Sequence, residues 1–177
     1  MDETAQEFLR AARRYLRGEY LPKIERCLER LTDEQVWLRP SAETNSVGNL
    51  LLHLEGNARQ WILGGVAGAQ DRRVRQAEFD ERGTVPREEL LGRLRATLDE
   101  IDAVLAALGP AELLARRLIQ GYDVNVLGAV FHVVEHFSMH TGQVILLTKA
   151  IAACDLGFYD VSSGDPRRNW DRPAGAD

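Results

Sequence analysis

Apolar residues recur at helical spacing along most of the chain, and few stretches alternate as strands do. The first helical stretch runs from about Thr4 to Leu31, with Phe8, Ala12, Leu16, Ile24, Leu28 and Leu31 on its apolar side. Gly18 and Pro22 are expected to break or kink it, because proline lacks a donor and clashes with the preceding turn. A second helix is predicted from about Ser46 to Leu63, with Asn45 or Ser46 able to cap it and "GGVAG" ending it. Residues 66–85 read as a loop. A third helix spans about Arg87 to Leu108, and a fourth about Asn125 to Ala153, after "GPAEL" and "LARRLIQGYDV".

The loop lengths bear on topology. A helix of about 18 residues is about 27 Å long, and 20 loop residues can reach about 66 Å when extended. The second and third helices can therefore run parallel, joined by a crossover. The expected fold is all-α: a four-helix bundle, up-down-down-up, with that long crossover. Residues 1–161 form one domain, and residues 162–177, "SSGDPRRNWDRPAGAD", have the composition of a disordered end.

Two helices carry polar strips that the rest of the pattern turns inward. On the fourth, "FHVVEHFSMHTGQV" places His132, His136, His140 and Gln143 in a strip about 80° wide, at about 100° per residue. The helix around them is apolar on nearly every side, with Glu135 the one formal charge between Val124 and Leu147. A helix apolar all round is a central one. On the second, Ser46, Asn49, His53, Asn57 and Gln60 share a strip of similar width, opposite Glu55 and Arg59.

Buried polar seams need partners, and two seams facing each other can share a metal ion. His136 and His140, one turn apart, can bind one ion, with His53 as the third nitrogen. Three neutral imidazoles describe an open site for Zn²⁺, Ni²⁺ or a similar ion. The competing reading is a histidine core with no metal. His132 either extends the ligand set, hydrogen-bonds behind it or packs as a core residue. Asn49, Asn57, Gln60 and Gln143 are candidates to orient ligands or substrate. Gly142 in mid-helix fits a close helix approach, or ordinary packing.

Composition narrows the classes. A net charge of −5 argues against a nucleic-acid footprint, and the Arg10, Arg13, Arg14 and Arg17 cluster is interleaved with glutamates as on a solvated face. No run of about 18 apolar residues suggests a membrane span. The two distant cysteines, Cys27 and Cys154, point to reduced thiols and a cytoplasmic location.

"TNSVGNLLLHLEGNARQWI", "DRRVRQAEF", "IQGYDVNVLGAVFHVVEHFSMHTGQVILLTK" and "DLGFYD" resemble the DinB-like (YfiT-like) superfamily, in a branch catalogued as a domain of unknown function. The resemblance runs from Phe8 to about Tyr159. It implies an up-down-down-up bundle, often a homodimer, binding a divalent metal through His53, His136 and His140, with His132 as an extra polar neighbour. "MHTGQ" stands where other branches have "HHRGQ".

It also implies a small-molecule substrate and, as in characterised relatives, transferase or isomerase chemistry with a low-molecular-weight thiol. Metal-dependent hydrolysis and a non-enzymatic metal-binding bundle remain alternatives. Glu78 is a candidate general base if the crossover folds over the site, Glu135 a weaker one. Arg72, Arg73 and Arg75 either clamp an anion or neutralise the acids beside them. Trp37 and Trp61 read as core or pocket wall.

Overall fold

The computed structural model describes residues 3–83, 85–162 and 164–171. Its first helical rod is continuous: α1 (Glu3–Tyr15) passes through a π-helical turn (Leu16–Tyr20) into α2 (Leu21–Glu29). The expected break at Gly18 and Pro22 is thus absorbed by one wide turn. Pro22 has no N–H for the Gly18 carbonyl four residues back. That carbonyl instead accepts a hydrogen bond from the Trp170 indole at 3.0 Å.

A short helix, α3 (Asp33–Val36), follows. Ser46 then caps α4 (Val47–Ala58) in a reciprocal box with Asn49, worth about 1 kcal/mol. The helix does not stop at Leu63; it runs on as a π-helical stretch, Arg59–Val66. The crossover, expected to be a plain loop, contains α5 (Arg75–Asp80). Next come α6 (Arg87–Ala107) and α7 (Val126–Ala152), the latter capped by Asn125.

The molecule is mainly helical and all-α in class, with α4 packed against both α6 and α7, and α2 against α7. Leu16, Ile24 and Leu28 meet Leu50, Leu54, Ile62, Leu94, Leu98, Ile101 and Phe137 in one core. The most thoroughly buried helix is α4, where ten of twelve residues are buried. Its solvent-side charges pair with α6, Glu55 with Arg93 and Arg59 with Glu100. Contrary to the hydropathy pattern, α7 keeps one face open, with Phe131 59% and Leu146 68% exposed.

Strands do occur. β1 (Arg116–Ile119) and β2 (Tyr122–Asn125) form an antiparallel hairpin. Gln120 and Gly121 both take positive φ, 53° and 82°, as a two-residue hairpin turn of the mirror-image type requires. The hairpin seats Ile119 against Gly65, where an added Cβ would lie 2.6 Å from Ile119 Cγ1.

The expectation of a structureless end does not hold for residues 164–171. There β4 (Arg167–Arg168) pairs with β3 (Tyr159–Asp160), and Trp170 packs edge-on against Phe158. Residues 163 and 172–177 lie outside the described residues.

Gly65→Ala should cost about 1–3 kcal/mol by overpacking, read as a lower urea midpoint. Ile119→Ala in the same chain should recover part of the Gly65→Ala loss, since it removes the obstructing atoms.

Candidate metal centre

α4 and α7 bring three imidazoles together. One ligand-type nitrogen from each of His53, His136 and His140 lies within 4.8 Å of the others. Ring centroids are 4.9 Å apart for His53 and His136, 5.1 Å for His53 and His140, and 4.4 Å for His136 and His140. The last spacing follows from the i, i+4 register on one helix.

Hydrogen bonding points to the nitrogens that remain for a ligand. His53 Nδ1 lies 2.8 Å from Glu78 Oε2 and 3.1 Å from Arg73 Nη2; the carboxylate, nearer and an acceptor only, takes the Nδ1–H bond, which leaves Nε2. His140 Nδ1 donates to Gln143 Oε1 at 2.7 Å, which again leaves Nε2. His136 Nε2 is buried and has no partner among the described residues. An unpaired buried imidazole nitrogen beside two others is unfavourable unless something binds there. Three neutral nitrogen donors suit a borderline divalent ion. The donor set therefore fits a metal.

Electrostatics favour the neutral rings that a metal needs. Burial, with His140, His53 and His132 adding to it, pushes the His136 pKa down to about 3. Burial also lowers His140 and His132. His132 lies outside the trio of convergent nitrogens, although its ring stacks on His136 with centroids 5.3 Å apart. Its ring also stacks on Trp61 with centroids 4.0 Å apart, and its Nε2 accepts from Asn57 Nδ2 at 3.2 Å. Trp61 itself is 5% exposed, so it forms the wall of this seam.

The crossover folds over His53, but Glu78 is not a free base there. Burial alone would raise its pKa; hydrogen bonds from Arg73 and His53 outweigh that and hold the carboxyl low. Arg73 grips it with two prongs, Nε to Oε1 at 2.6 Å and Nη2 to Oε2 at 2.9 Å. Arg73 is thereby spoken for, leaving no anion clamp. Arg72 bonds to Gln70, and Arg75 lies over the Phe79 ring. Glu135 is exposed on the outer side of α7.

Other polar residues of the α4 strip hold the crossover instead of touching the histidines. Asn49 Nδ2 donates to the Glu78 and Glu81 carbonyls at 2.8 and 3.1 Å. Arg39 donates to Asn49 Oδ1 and to the Phe79 carbonyl, each at 2.7 Å. Gln60 accepts from Arg73 Nη1 at 2.9 Å and donates to Asp71 at 2.6 Å. A cavity of about 510 Å³ lies beyond, lined by Gly56, Arg59, Arg73, Glu78 and Arg93 but by no histidine.

Two residues at this site escaped sequence reasoning. Arg39 sits in a turn-rich connection and carries no motif. Gly56 left a signal, a mid-helix glycine costing about 1 kcal/mol. An added Cβ there would overlap Glu78 Oε1 and lie 3.0 Å from Arg73 Nε. Gly142 has the opposite character, since a Cβ there would meet nothing within 4 Å. The expected close helix approach at Gly142 is absent within the chain.

The family described as "Protein of unknown function (DUF1572)" matches residues 3–165. The chain belongs to the DUF1572 family. Solved structures share its fold. A conserved protein from Enterococcus faecalis is similar at a TM-score of 0.67 and 14% identity, over 82% of this chain and 97% of that one. A DinB-like protein from Bacillus cereus is similar at 0.60 and 16%, over 75% and 86%. At such identities the likeness shows the fold alone. Among curated proteins, no match is found for this DUF1572 chain.

The metal-free protein should lose stability as pH falls. An unfolded histidine binds its proton near pH 6.5, whereas folded His136 resists until about 3. The unfolded state therefore holds more protons across that window, and stability drops from pH 6.5 downward. Urea titrations at pH 7 and pH 5 should show it, with a smaller drop in His136→Asn. An equal drop in both proteins would separate the effect from His136.

Proposed function

We propose that His53, His136 and His140 hold one divalent ion, zinc or nickel, and that the protein is a metal-dependent enzyme of thiol S-transferase type. The observation that carries the metal reading is the buried, unpartnered His136 Nε2 among two other available imidazole nitrogens. Three protein ligands leave a coordination position open, the pattern of catalytic sites as against closed structural ones. A bound ion would lower the pKa of a thiol or water joining it, and so supply a nucleophile near neutral pH.

The chain's own groups then orient and shield. Glu78 and Gln143 set the rings of His53 and His140, and Phe79 packs against His53 with ring centroids 4.9 Å apart. With Glu78 locked to Arg73 and Glu135 turned outward, neither candidate carboxylate is poised to take a proton. That favours a nucleophile activated by the ion itself. The thiol, as against water, comes from the DinB-like resemblance. Metal-dependent hydrolysis of a small molecule is the second reading, favoured by the same lack of a base.

The four long rods are best read as an up-down-down-up bundle, since residues 67–86 are enough chain to return along α4. A homodimer is supported by the open apolar face of α7, where Phe131, Met139 and Leu146 are exposed and Gly142 leaves room for close approach. Free Cys27 and Cys154 suit a reducing cytoplasm. No helix among the described residues is long and apolar enough to cross a membrane.

Elemental analysis of purified protein should find about one zinc or nickel per chain, lost in His53→Ala and in His136→Ala. No metal after reloading would leave a histidine core without an ion. The loaded protein should conjugate a cellular thiol to a reactive electrophile. Ester or amide turnover without thiol, abolished in His136→Ala, would select the hydrolase instead. For the dimer, Leu146→Asp should halve the mass seen by sedimentation.

A further inference from the structure

Arg73 lies beside the centre, its Nη2 3.1 Å from His53 Nδ1, and its environment is built around one carboxylate. Its side chain is 5% exposed and that of Glu78 10%. Burying such a pair is costly unless every charge is matched and hydrogen-bonded. Here each partner is matched. The backbone N–H of Arg73 donates to Asp71 Oδ1 at 2.9 Å, Nη1 is held by Gln60, and the remaining fork meets both Glu78 oxygens. Gly56 supplies the gap in α4 that the pair occupies.

Anchoring the crossover does not require this. Asn49 and Arg39 already hold the carbonyls of Glu78, Phe79 and Glu81, and Trp37 Nε1 donates to the Val85 carbonyl at 3.0 Å. What the ion pair adds is orientation of one group. With both oxygens gripped by the guanidinium, Oε2 can face His53 Nδ1 only as an acceptor.

We propose that Arg73 is a positioning residue for the three-histidine centre: it holds the Glu78 carboxylate, which in turn fixes His53 with its proton on Nδ1 and its Nε2 lone pair free. The role rests on the metal-binding reading for its use, while the tautomer itself is a property of the metal-free protein. A ligand histidine fixed through a carboxylate binds metal more tightly, and loss of such a partner weakens affinity about 10–100-fold.

The substitution Glu78→Gln makes the sharpest test because it preserves shape. A glutamine has one acceptor, and the Arg73 donors claim it. Its amide NH₂ must then face His53, which has to accept at Nδ1 and carry its proton on Nε2. Arg73→Met, by contrast, frees the carboxylate to turn, so His53 should populate both tautomers.

Long-range proton–nitrogen spectra of ¹⁵N-histidine-labelled, metal-free protein at pH 8 read the tautomer directly. The expected result is Nδ1–H in the wild type, Nε2–H in Glu78→Gln and a mixture in Arg73→Met. Zinc affinity, measured by competition with a chromophoric chelator, should fall about 10–100-fold in both variants. If His53 is Nε2–H in the wild type, or keeps Nδ1–H in both variants, the proposal is overturned whatever the zinc does. If Arg73→Met does not fold, Glu78→Gln alone decides. Tautomers as expected in a wild type that binds no zinc would leave the positioning role standing and remove the metal reading.

Discussion

The carboxylate of Glu78, buried between an imidazole and a guanidinium, is the constraint around which the site is organised. A carboxylate taken out of water is tolerable only when its charge is met and its lone pairs are used. Meeting that demand draws in residues distant in sequence: His53 from α4, Arg73 from the start of the crossover and Gln60 behind it. It also explains a glycine in the middle of a buried helix, because the pair lies where the Gly56 side chain would be. The helical propensity lost at Gly56, about 1 kcal/mol, is small beside the cost of an unmatched buried charge.

The other half of the centre has a different logic. His136 and His140 are placed by helical register alone, and α7 is long, regular and packed along its inner side by Val130, Val133, Phe137 and Val144. Their positions therefore depend on the bundle core. That of His53 depends also on a connection between helices. Two of the three imidazoles ride on one long helix, and the third is oriented from the crossover. Burial and crowding hold His136 and His140 toward the neutral form, which is the state a metal ligand must have.

Much of this was legible in the residues, for an identifiable reason. Helical periodicity puts His53, Asn49, Asn57 and Gln60 on one strip and His132, His136, His140 and Gln143 on another; the first turns inward, the second is half-buried and ends in an exposed Gln143. Periodicity reports direction, not partner. It could not say that Asn49 and Gln60 would spend their hydrogen bonds on the crossover, or that His132 would stack on Trp61. The hairpin was hidden because its turn, Gln120–Gly121, lacks the asparagine or aspartate that normally announces such a turn. The outer face of α7 misled in the other direction, since apolar composition alone cannot separate a buried side from an open one. The ordered end at Trp170 is a tertiary effect: its indole donates to the Gly18 carbonyl, its ring packs on Phe158, and β4 pairs with β3.

The same reasoning bears on why a candidate general base is missing. In a helical bundle an inward carboxylate must be neutralised by something inward, and the nearest cation then occupies both oxygens. Glu78 could have been a base only by remaining uncompensated, at a large cost in stability, or by lying at a wet edge. Its pairing with Arg73 converts it from a group that exchanges protons into one that fixes geometry. In the proposed reading, chemistry at this centre would draw its acidity or nucleophilicity from what binds the three nitrogens, and the chain's contribution is to hold those nitrogens in place.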